Sequence, residues 1–177
     1  ILYDEDPLVG YRLKPNQNKK RLKGSKVTTD DEGFRVDKSL KLKKNDEIIT
    51  TSHSWISTSE AIVNAGGKPI FVDTGEDFNI DPNKIKTKIT KNTKAMLIVH
   101  LFGLPCKMES IIKICRKNRI KLIEDCAQST FSKYKNKNVG TFGYASAFSF
   151  FPTKTLGCFG DGGCIITNNK KVYEKVK

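Results

Sequence analysis

Short apolar segments alternate with helical segments between residues 46 and 125, and this alternation limits the fold more than any other feature of the sequence. The clearest helical pattern covers residues 108–118, where apolar residues recur at three- and four-residue intervals. An apolar segment at 121–124 follows directly. Regular alternation of strand and helix predicts parallel strands joined by right-handed crossovers. We therefore expect an α/β fold in which three layers (α/β/α) enclose a mostly parallel sheet.

The remaining elements continue this pattern on both sides of that helix. Strands are predicted at 47–50, 69–73, 94–100, 145–150 and 164–167, with helices at 55–64, at 82–89 and from about 169 onward. Residues 1–40 differ, because charged residues, Gly, Pro and Asn interrupt their short apolar pieces. We expect a turn-rich segment at 1–40 and one α/β unit at 41–177.

The chain is strongly basic, yet the distribution of its charge does not indicate a binding patch. Its 177 residues include 32 Lys and Arg against 19 Asp and Glu, a net charge of +13. The lysines are scattered and no nucleic-acid-binding motif accompanies them, so a nucleic-acid-binding domain ranks last among the candidate functions. Apolar residues make up 37% of the chain and form runs, which excludes wholesale disorder.

The cysteines and the apolar runs indicate a reduced, soluble protein. The five cysteines are odd in number, lack CxxC spacing and lie partly inside apolar runs, which is typical of buried thiols in a cytosolic protein. We expect no metal site. The longest apolar runs fall far short of the ~18 residues needed to cross a bilayer, and the N-terminus lacks a charged and then apolar leader. The sequence thus predicts a cytoplasmic protein without a membrane partner.

Three groups of residues at the ends of predicted strands are candidates for chemistry, because ligands of open α/β sheets gather at the carboxyl ends of the strands. They are His100, Asp125 and the segment 149–154, which ends in Lys154. A lysine with aromatic neighbours is a candidate nucleophile toward a carbonyl group, with which it forms a Schiff base. Taken alone, Asp125 also fits a helix cap, His100 a hydrogen-bonded core residue and Lys154 a solvated lysine. The glycine-rich run at 157–163 matches neither GxGxxG nor a P-loop.

Six motifs in order carry a family resemblance from about residue 42 to the end of the chain. They are DEII (46–49), WIST (55–58), GKPIFVD (67–73), VHLFG (99–103), IEDCAQS (123–129) and SFFPTK (149–154). Each motif alone is weakly specific. Their joint order and spacing resemble the DegT/DnrJ/EryC1/StrS family of nucleotide-sugar aminotransferases, which depend on pyridoxal phosphate. The resemblance implies that the chain is part of the large domain of a fold-type I transferase.

The resemblance also implies roles for five residues. Lys154 matches the lysine that binds the cofactor covalently and then moves a proton, so it is the expected catalytic residue. Asp125 matches the carboxylate that keeps the pyridine nitrogen protonated. Gln128 matches the side chain that hydrogen-bonds the phenolic oxygen of the cofactor. Ser149 matches a hydroxyl that contacts the cofactor phosphate, and Trp55 matches the aromatic residue that stacks on the ring.

The implied reaction is transamination of a nucleotide-linked 3-keto or 4-keto sugar, with glutamate as the amino donor. Some relatives carry histidine at the position of Lys154 and resemble dehydratases, so lysine favours transamination. The resemblance places such an enzyme in surface polysaccharide or glycoconjugate biosynthesis. It also implies a homodimer with shared active sites when the chain has its full length.

Both ends of the chain depart from the family pattern. The family begins with a helix and a Gly-Thr-x-Ala-Leu-like segment, whose backbone amides bind the cofactor phosphate. Here residues 1–40 stand in its place and resemble the region ahead of the catalytic core in SGNH-type esterases, without a Gly-Asp-Ser motif. The small C-terminal domain is also missing, so we expect a chain truncated at both ends. The alternative function is a non-catalytic fragment or binding remnant, and exposed sheet edges predict self-association.

Overall fold

The computed structural model describes residues 8–11 and 40–176. The strands are β1 (Leu8–Tyr11), β2 (Glu47–Thr51), β3 (Lys68–Val72), β4 (Thr93–Val99), β5 (Lys121–Asp125), β6 (Lys133–Tyr134), β7 (Lys137–Asn138), β8 (Ala145–Ser149) and β9 (Gly163–Thr167). The helices are α1 (Ile56–Asn64), α2 (Pro82–Ile85), α3 (Met108–Asn118) and α4 (Lys170–Val176), with short 3₁₀ turns at Lys86–Lys88 and Leu101–Gly103. Within this part of the chain, no helix has both the length and the apolar character needed to span a bilayer.

Within residues 8–11 and 40–176, seven strands form one sheet in the order β1-β9-β8-β5-β4-β2-β3. The strands β3, β2, β4, β5 and β8 are parallel neighbours, and Ile49 of β2 lies opposite both Ile70 of β3 and Met96 of β4. β9 pairs antiparallel with β8, and β1 pairs antiparallel with β9. β6 and β7 form a separate antiparallel hairpin. The prediction of a mostly parallel sheet is therefore confirmed.

In the described residues, apolar side chains from the strands fill two large cores, one on each face of the sheet, and a smaller third cluster contains residues of β8 and β9. Successive residues of β2 enter different cores, as the two-residue repeat of a strand requires. Ile49 belongs to the cluster that contains Ile111 of α3, and Ile48 belongs to the cluster that contains Ile62 of α1. Residues of β4 and β5 alternate between the clusters in the same way. The fold thus has three layers, which confirms the predicted fold class.

The helix predicted at 82–89 is α-helical only in its first half. Asp81 caps α2, where its carboxylate accepts the backbone N–H two residues later at 2.9 Å. Beyond α2 the chain changes to 3₁₀ geometry. The Thr87 hydroxyl donates to the Lys84 carbonyl at 2.9 Å, and this bond competes with the backbone bond that would continue the α-helix. The prediction missed the change because the cap signal at Asp81 marks where the helix begins and does not distinguish α from 3₁₀ geometry in its second half.

β1 brings part of the predicted N-terminal segment into the same sheet as the α/β unit. Leu8 lies opposite Thr167 and Tyr11 lies opposite Cys164 of β9. The turns expected at 1–7 and 12–39, and most of the region that resembles SGNH-type esterases, lie outside the described residues. The division of the chain at residue 40 stays a prediction.

Candidate active site

The carboxyl ends of the adjacent parallel strands β2, β4, β5 and β8 meet at one edge of the sheet. From β2 the chain passes to β3 on one side and then to β4 on the other, so the strand order reverses beside β2. Ligands of open α/β sheets bind at such a reversal. At or after these strand ends lie the five residues predicted from the sequence: Trp55, Asp125, Gln128, Ser149 and Lys154.

Asp125, the last residue of β5, is a buried carboxylate with few hydrogen bonds. It is 5% exposed. Its Oδ1 accepts the backbone N–H of Ala127 at 3.0 Å, and its Oδ2 accepts the hydroxyl of Thr58 at 3.4 Å. Burial raises the pKa of Asp125, while the bond from Ala127 and then the nearby His100 and Lys154 oppose the increase. The strand end therefore holds an acid whose charge is only partly compensated.

Thr58 connects α1 to Asp125. Its hydroxyl lies 3.4 Å from Asp125 Oδ2 and 2.9 Å from the Ser54 hydroxyl. Because Thr58 donates its one hydroxyl proton to Asp125, Ser54 is the donor of the second bond. The sequence analysis quoted Thr58 only as part of the WIST motif, since its partner lies 67 residues away along the chain.

Gln128 is held in one orientation by the turn after β4. Its Oε1 accepts the backbone N–H of Phe102 at 2.7 Å. A side-chain amide has one oxygen and one NH₂ group. The bond to Phe102 therefore makes Nε2 the donor with which Gln128 can bind a ligand.

Lys154 lies on a closed loop between β8 and β9. Its side chain is partly buried. The loop is closed by the Phe150 amide, which donates to the Gly162 carbonyl at 2.6 Å. A Cβ at Gly157 would lie 2.5 Å from the Pro152 carbonyl oxygen, so only glycine allows this close approach. The glycine-rich run, which matched no nucleotide-binding pattern, thus lets the loop fold back near Lys154.

Ser149 is the last residue of β8, and Trp55 directly precedes α1. Ser149 Oγ accepts the backbone N–H of Phe151 at 3.3 Å, and its hydroxyl proton can still be donated. Trp55 is 70% exposed, so its indole offers apolar area to a ligand. The contacts implied for both residues by the resemblance stay predictions.

His100 and Glu124 form a buried pair beside these residues. The Nε2 atom of His100 lies 3.1 Å from Glu124 Oε2, and both side chains are fully buried. His100 Nδ1 accepts the Cys106 backbone N–H at 3.1 Å, so the ring proton is on Nε2 and is donated to Glu124. Glu124 also accepts three backbone N–H groups at 2.7–2.8 Å, from Gly140, Phe142 and Gly143. His100 is therefore a hydrogen-bonded core residue, one of the two interpretations that the sequence left open.

The same pair contributes to a group of potential metal ligands. Atoms of His100, Glu124 and Cys126 lie within 4.8 Å of one another. His100 and Glu124 already use these atoms in hydrogen bonds to each other and to the backbone. Burial raises the pKa of the Cys126 thiol well above its usual range, which disfavours the thiolate that a metal requires. The chemistry of this group does not fit a metal ion.

Exposed aromatic rings border the turn that holds Gln128. The ring centroids of His53, Phe78 and Phe102 are 5.8, 6.2 and 6.5 Å apart. Phe78 is 57% exposed and Phe102 is 71% exposed. The surface beside Gln128 is therefore aromatic, with two exposed phenylalanine rings and the imidazole of His53.

Known proteins are similar to this chain over most of its length. The model of the DegT/DnrJ/EryC1/StrS aminotransferase family matches residues 35–177. A pleiotropic regulatory protein from Geobacillus stearothermophilus is 46% identical over 133 residues, which cover 75% of this chain and 36% of that protein. GDP-perosamine synthase from Escherichia coli O157:H7 is 43% identical over 138 residues, which cover 77% of this chain and 38% of that protein. The chain thus spans little more than a third of the length of these curated relatives.

Solved structures share the fold. NtdA from Bacillus subtilis with bound cofactor PMP has a TM-score of 0.75 and 33% identity, and the match covers 82% of this chain and 33% of that one. E. coli GDP-4-keto-6-deoxy-D-mannose-3-dehydratase with bound hydrated PLP has a TM-score of 0.76 and 33% identity, covering 82% of this chain and 39% of that one. These matches confirm the fold class predicted from the sequence motifs.

Proposed function

Because this chain belongs to the DegT/DnrJ/EryC1/StrS aminotransferase family, we propose that it is the part of a nucleotide-sugar aminotransferase that holds pyridoxal phosphate. Pyridoxal phosphate is the cofactor that the family implies, and a solved relative contains it. The observation that carries the proposal is the buried Asp125 carboxylate, which lies at the carboxyl edge of the sheet and accepts two hydrogen bonds among the described residues.

The residues present fit this cofactor. Asp125 is a buried acid with a raised pKa and two hydrogen bonds, so a protonated pyridine nitrogen would supply the missing compensation. Gln128 has Nε2 as its donor, which suits an anionic phenolic oxygen. Lys154 supplies a primary amine close enough for its charge to act on Asp125. A carboxylate, an amide donor and an amine are the groups that this cofactor needs from the protein.

Each residue then has a defined task. When bound, pyridoxal phosphate supplies an electron sink for negative charge at the carbon next to the transferred nitrogen. Lys154 Nζ would hold the cofactor covalently and, after release, accept the proton from that carbon and deliver it to carbon C4′ of the cofactor. Asp125 would hold the proton on the pyridine nitrogen, while Thr58 keeps the carboxylate in place. Ser149 would bind the phosphate, and Trp55 would cover one face of the ring.

The proposed reaction moves an amino group from glutamate to a nucleotide-linked 3-keto or 4-keto sugar, in surface polysaccharide or glycoconjugate biosynthesis. The relative GDP-perosamine synthase supports a nucleotide-sugar substrate. Lysine at position 154 supports transamination. We further propose that the full-length protein acts as a cytoplasmic homodimer, in which segments outside this chain complete the site.

A titration of the chain with pyridoxal phosphate tests the cofactor site. We expect a saturable visible absorbance band in the wild type that is lost in Lys154→Ala, because Lys154 is the described lysine whose charge acts on Asp125. Lys113→Ala, at an exposed lysine of α3, is the matched control and should retain the band. Reduction with borohydride followed by peptide mapping should find the cofactor on Lys154.

Two results would contradict the proposal. They are a band that survives in Lys154→Ala and a label spread over many lysines, and either would favour the alternative of a non-catalytic binding remnant.

Glutamate added to the loaded chain then tests the amino donor. We expect glutamate, but not alanine at the same concentration, to diminish the band.

A further inference from the structure

Asn79, between β3 and α2, is buried and holds the turn that follows β4. It is 2% exposed. Its Oδ1 accepts the Leu101 backbone N–H at 3.0 Å, and its Nδ2 donates to the Leu104 carbonyl at 3.0 Å. The oxygen of the Asn79 amide thus binds the first residue of the turn, and its NH₂ group binds the last. Neither the sequence motifs nor the proposed reaction gave this residue a role.

The middle of the same turn contacts the loop after β5. The Phe102 amide donates to Gln128 Oε1 at 2.7 Å, and the Ser132 hydroxyl donates to the Gly103 carbonyl at 2.7 Å. Phe102 has a φ of 55° and Gly103 a φ of 80°. A left-handed phenylalanine costs of order 1 kcal/mol or more, so the turn depends on bonds from outside it.

We infer that Asn79 is a positioning residue that fixes the orientation of Gln128 through residues 101–104. The inference rests on the proposed function, because Gln128 is there the donor to the phenolic oxygen. If the turn relaxes, the Phe102 amide leaves Gln128 Oε1 and the side-chain amide is free to rotate. Only a minority of the side-chain rotamers of Gln128 then direct Nε2 at the cofactor. Asn79 thereby controls the hydrogen bond from Gln128 Nε2 to the cofactor without contacting the cofactor itself.

A double-mutant cycle separates this role from simple support of the fold. The variants are Asn79→Leu, Gln128→Leu and the pair together, with Asn118→Leu as control. Asn118 makes one side-chain bond, from Nδ2 to the Ile114 carbonyl at 2.8 Å, but it is an exposed residue at the C-terminal end of α3, ahead of the amino end of β5. The measurements are the Kd for pyridoxal phosphate, from the Lys154-dependent band, and hydrogen exchange at the Phe102 amide without cofactor.

We expect Asn79→Leu to weaken cofactor binding about fivefold to tenfold, the effect of losing one hydrogen bond. In the Gln128→Leu background the same change should have no further effect, because the group on which Asn79 acts is gone. Asn118→Leu should bind the cofactor as the wild type does. If leucine at position 79 prevents folding, Asn79→Asp keeps the size and the acceptor. It should show a smaller loss, about twofold to threefold, that also vanishes without Gln128.

Equal weakening in both backgrounds would overturn the inference, since Asn79 would then support the fold alone. If the wild type shows no Lys154-dependent band, the proposed function fails, and exchange at Phe102 decides the inference by itself. Exchange at least tenfold faster in Asn79→Leu, with no change in Asn118→Leu, supports it. Unchanged protection at Phe102 overturns it.

Discussion

Glu124 and Asp125 are consecutive buried carboxylates at the end of β5, and their surroundings differ sharply. Glu124 accepts four hydrogen bonds, three from backbone amides of residues 140–143 and one from His100. Asp125 accepts two, of which the longer is 3.4 Å. Adjacent side chains of a strand point to opposite faces of the sheet. Glu124, which accepts four hydrogen bonds, therefore stabilises the fold. Asp125, which accepts two, is the carboxylate that suits a ligand.

The two carboxylates contribute differently to the site at the carboxyl ends of the strands. Residues 140–143, which Glu124 binds, lead into β8, and β8 leads to Lys154. Asp125 instead lies within range of the charge of Lys154, which opposes the increase of its pKa by burial. Loss of the Glu124 carboxylate should therefore disturb folding first. Loss of the Asp125 carboxylate should disturb cofactor binding first.

The largest expected effect belongs to Glu124→Gln. The NH₂ group of glutamine would face backbone N–H donors that now bind a carboxylate oxygen, and these buried donors would lose their acceptor. We expect the free energy of unfolding to fall by about 3 kcal/mol, the typical cost of breaking a buried charged network. Urea unfolding of the cofactor-free chain measures it.

Glu109→Gln is the matched control for that experiment. Glu109 is an exposed residue of α3 that pairs with Lys135, and exposed ion pairs contribute little to stability. We expect no measurable change. A Glu124→Gln variant as stable as this control would break the comparison, because the satisfied carboxylate would then not support the scaffold.

Asp125→Asn should have a smaller effect on stability, and one of opposite sign. Asparagine keeps an acceptor for the Ala127 amide and removes a buried, poorly compensated charge. We expect the cofactor-free variant to gain about 1 kcal/mol in free energy of unfolding at pH 7. Cofactor binding should weaken at least tenfold, because the partner of the pyridine nitrogen is lost. Urea unfolding and cofactor titration of the same preparation check both.

The gain in Asp125→Asn should depend on pH. Burial raises the pKa of Asp125 above its usual 3.8, so the folded chain keeps a proton over a range in which the unfolded chain has lost it. The contribution of Asp125 to wild-type stability therefore declines as the pH rises through this range. The difference between variant and wild type should shrink toward zero below about pH 3.8. An equal gain at pH 3 and pH 7 would contradict burial as its cause.

Local patterns in the sequence predicted the features that depend on near neighbours. The apolar spacing of residues 108–118 predicted α3 with the bounds that the structure has. The alternation of strands and helices predicted parallel strands, and parallel strands imply that Asp125 and Ser149 lie at a common edge. Fold class and the position of the candidate site both follow from repeats of a few residues.

Contacts between distant segments were not predicted, because they depend on how loops pack after the sheet has formed. Thr58 reaches Asp125 across 67 residues, and Asn79 reaches the turn at 101–104 across 22 and 25 residues. No period or spacing in one sequence encodes such a pair. Glu124 illustrates the same limit, since the sequence shows an acidic residue beside Asp125 but not the amides that bind it.

The smallest expected effect, in Thr58→Val, sharpens the comparison most, because it removes one of the two hydrogen bonds of Asp125 while keeping the volume of the side chain. We expect the free energy of unfolding at pH 7 to fall by about 0.5 kcal/mol, less than for a charged hydrogen bond of normal length. The loss of stability in Thr58→Val should be smaller when it is combined with Asp125→Asn, since Thr58 then donates to a neutral partner.

Thr87→Val is the control. It removes a hydroxyl that bonds the Lys84 carbonyl, and its effect should be the same in both backgrounds. If the loss of stability in Thr58→Val were also equal in both backgrounds, the Thr58 hydroxyl would not stabilise the Asp125 charge. Asp125 would then depend for its compensation on Ala127 and on charges such as that of Lys154.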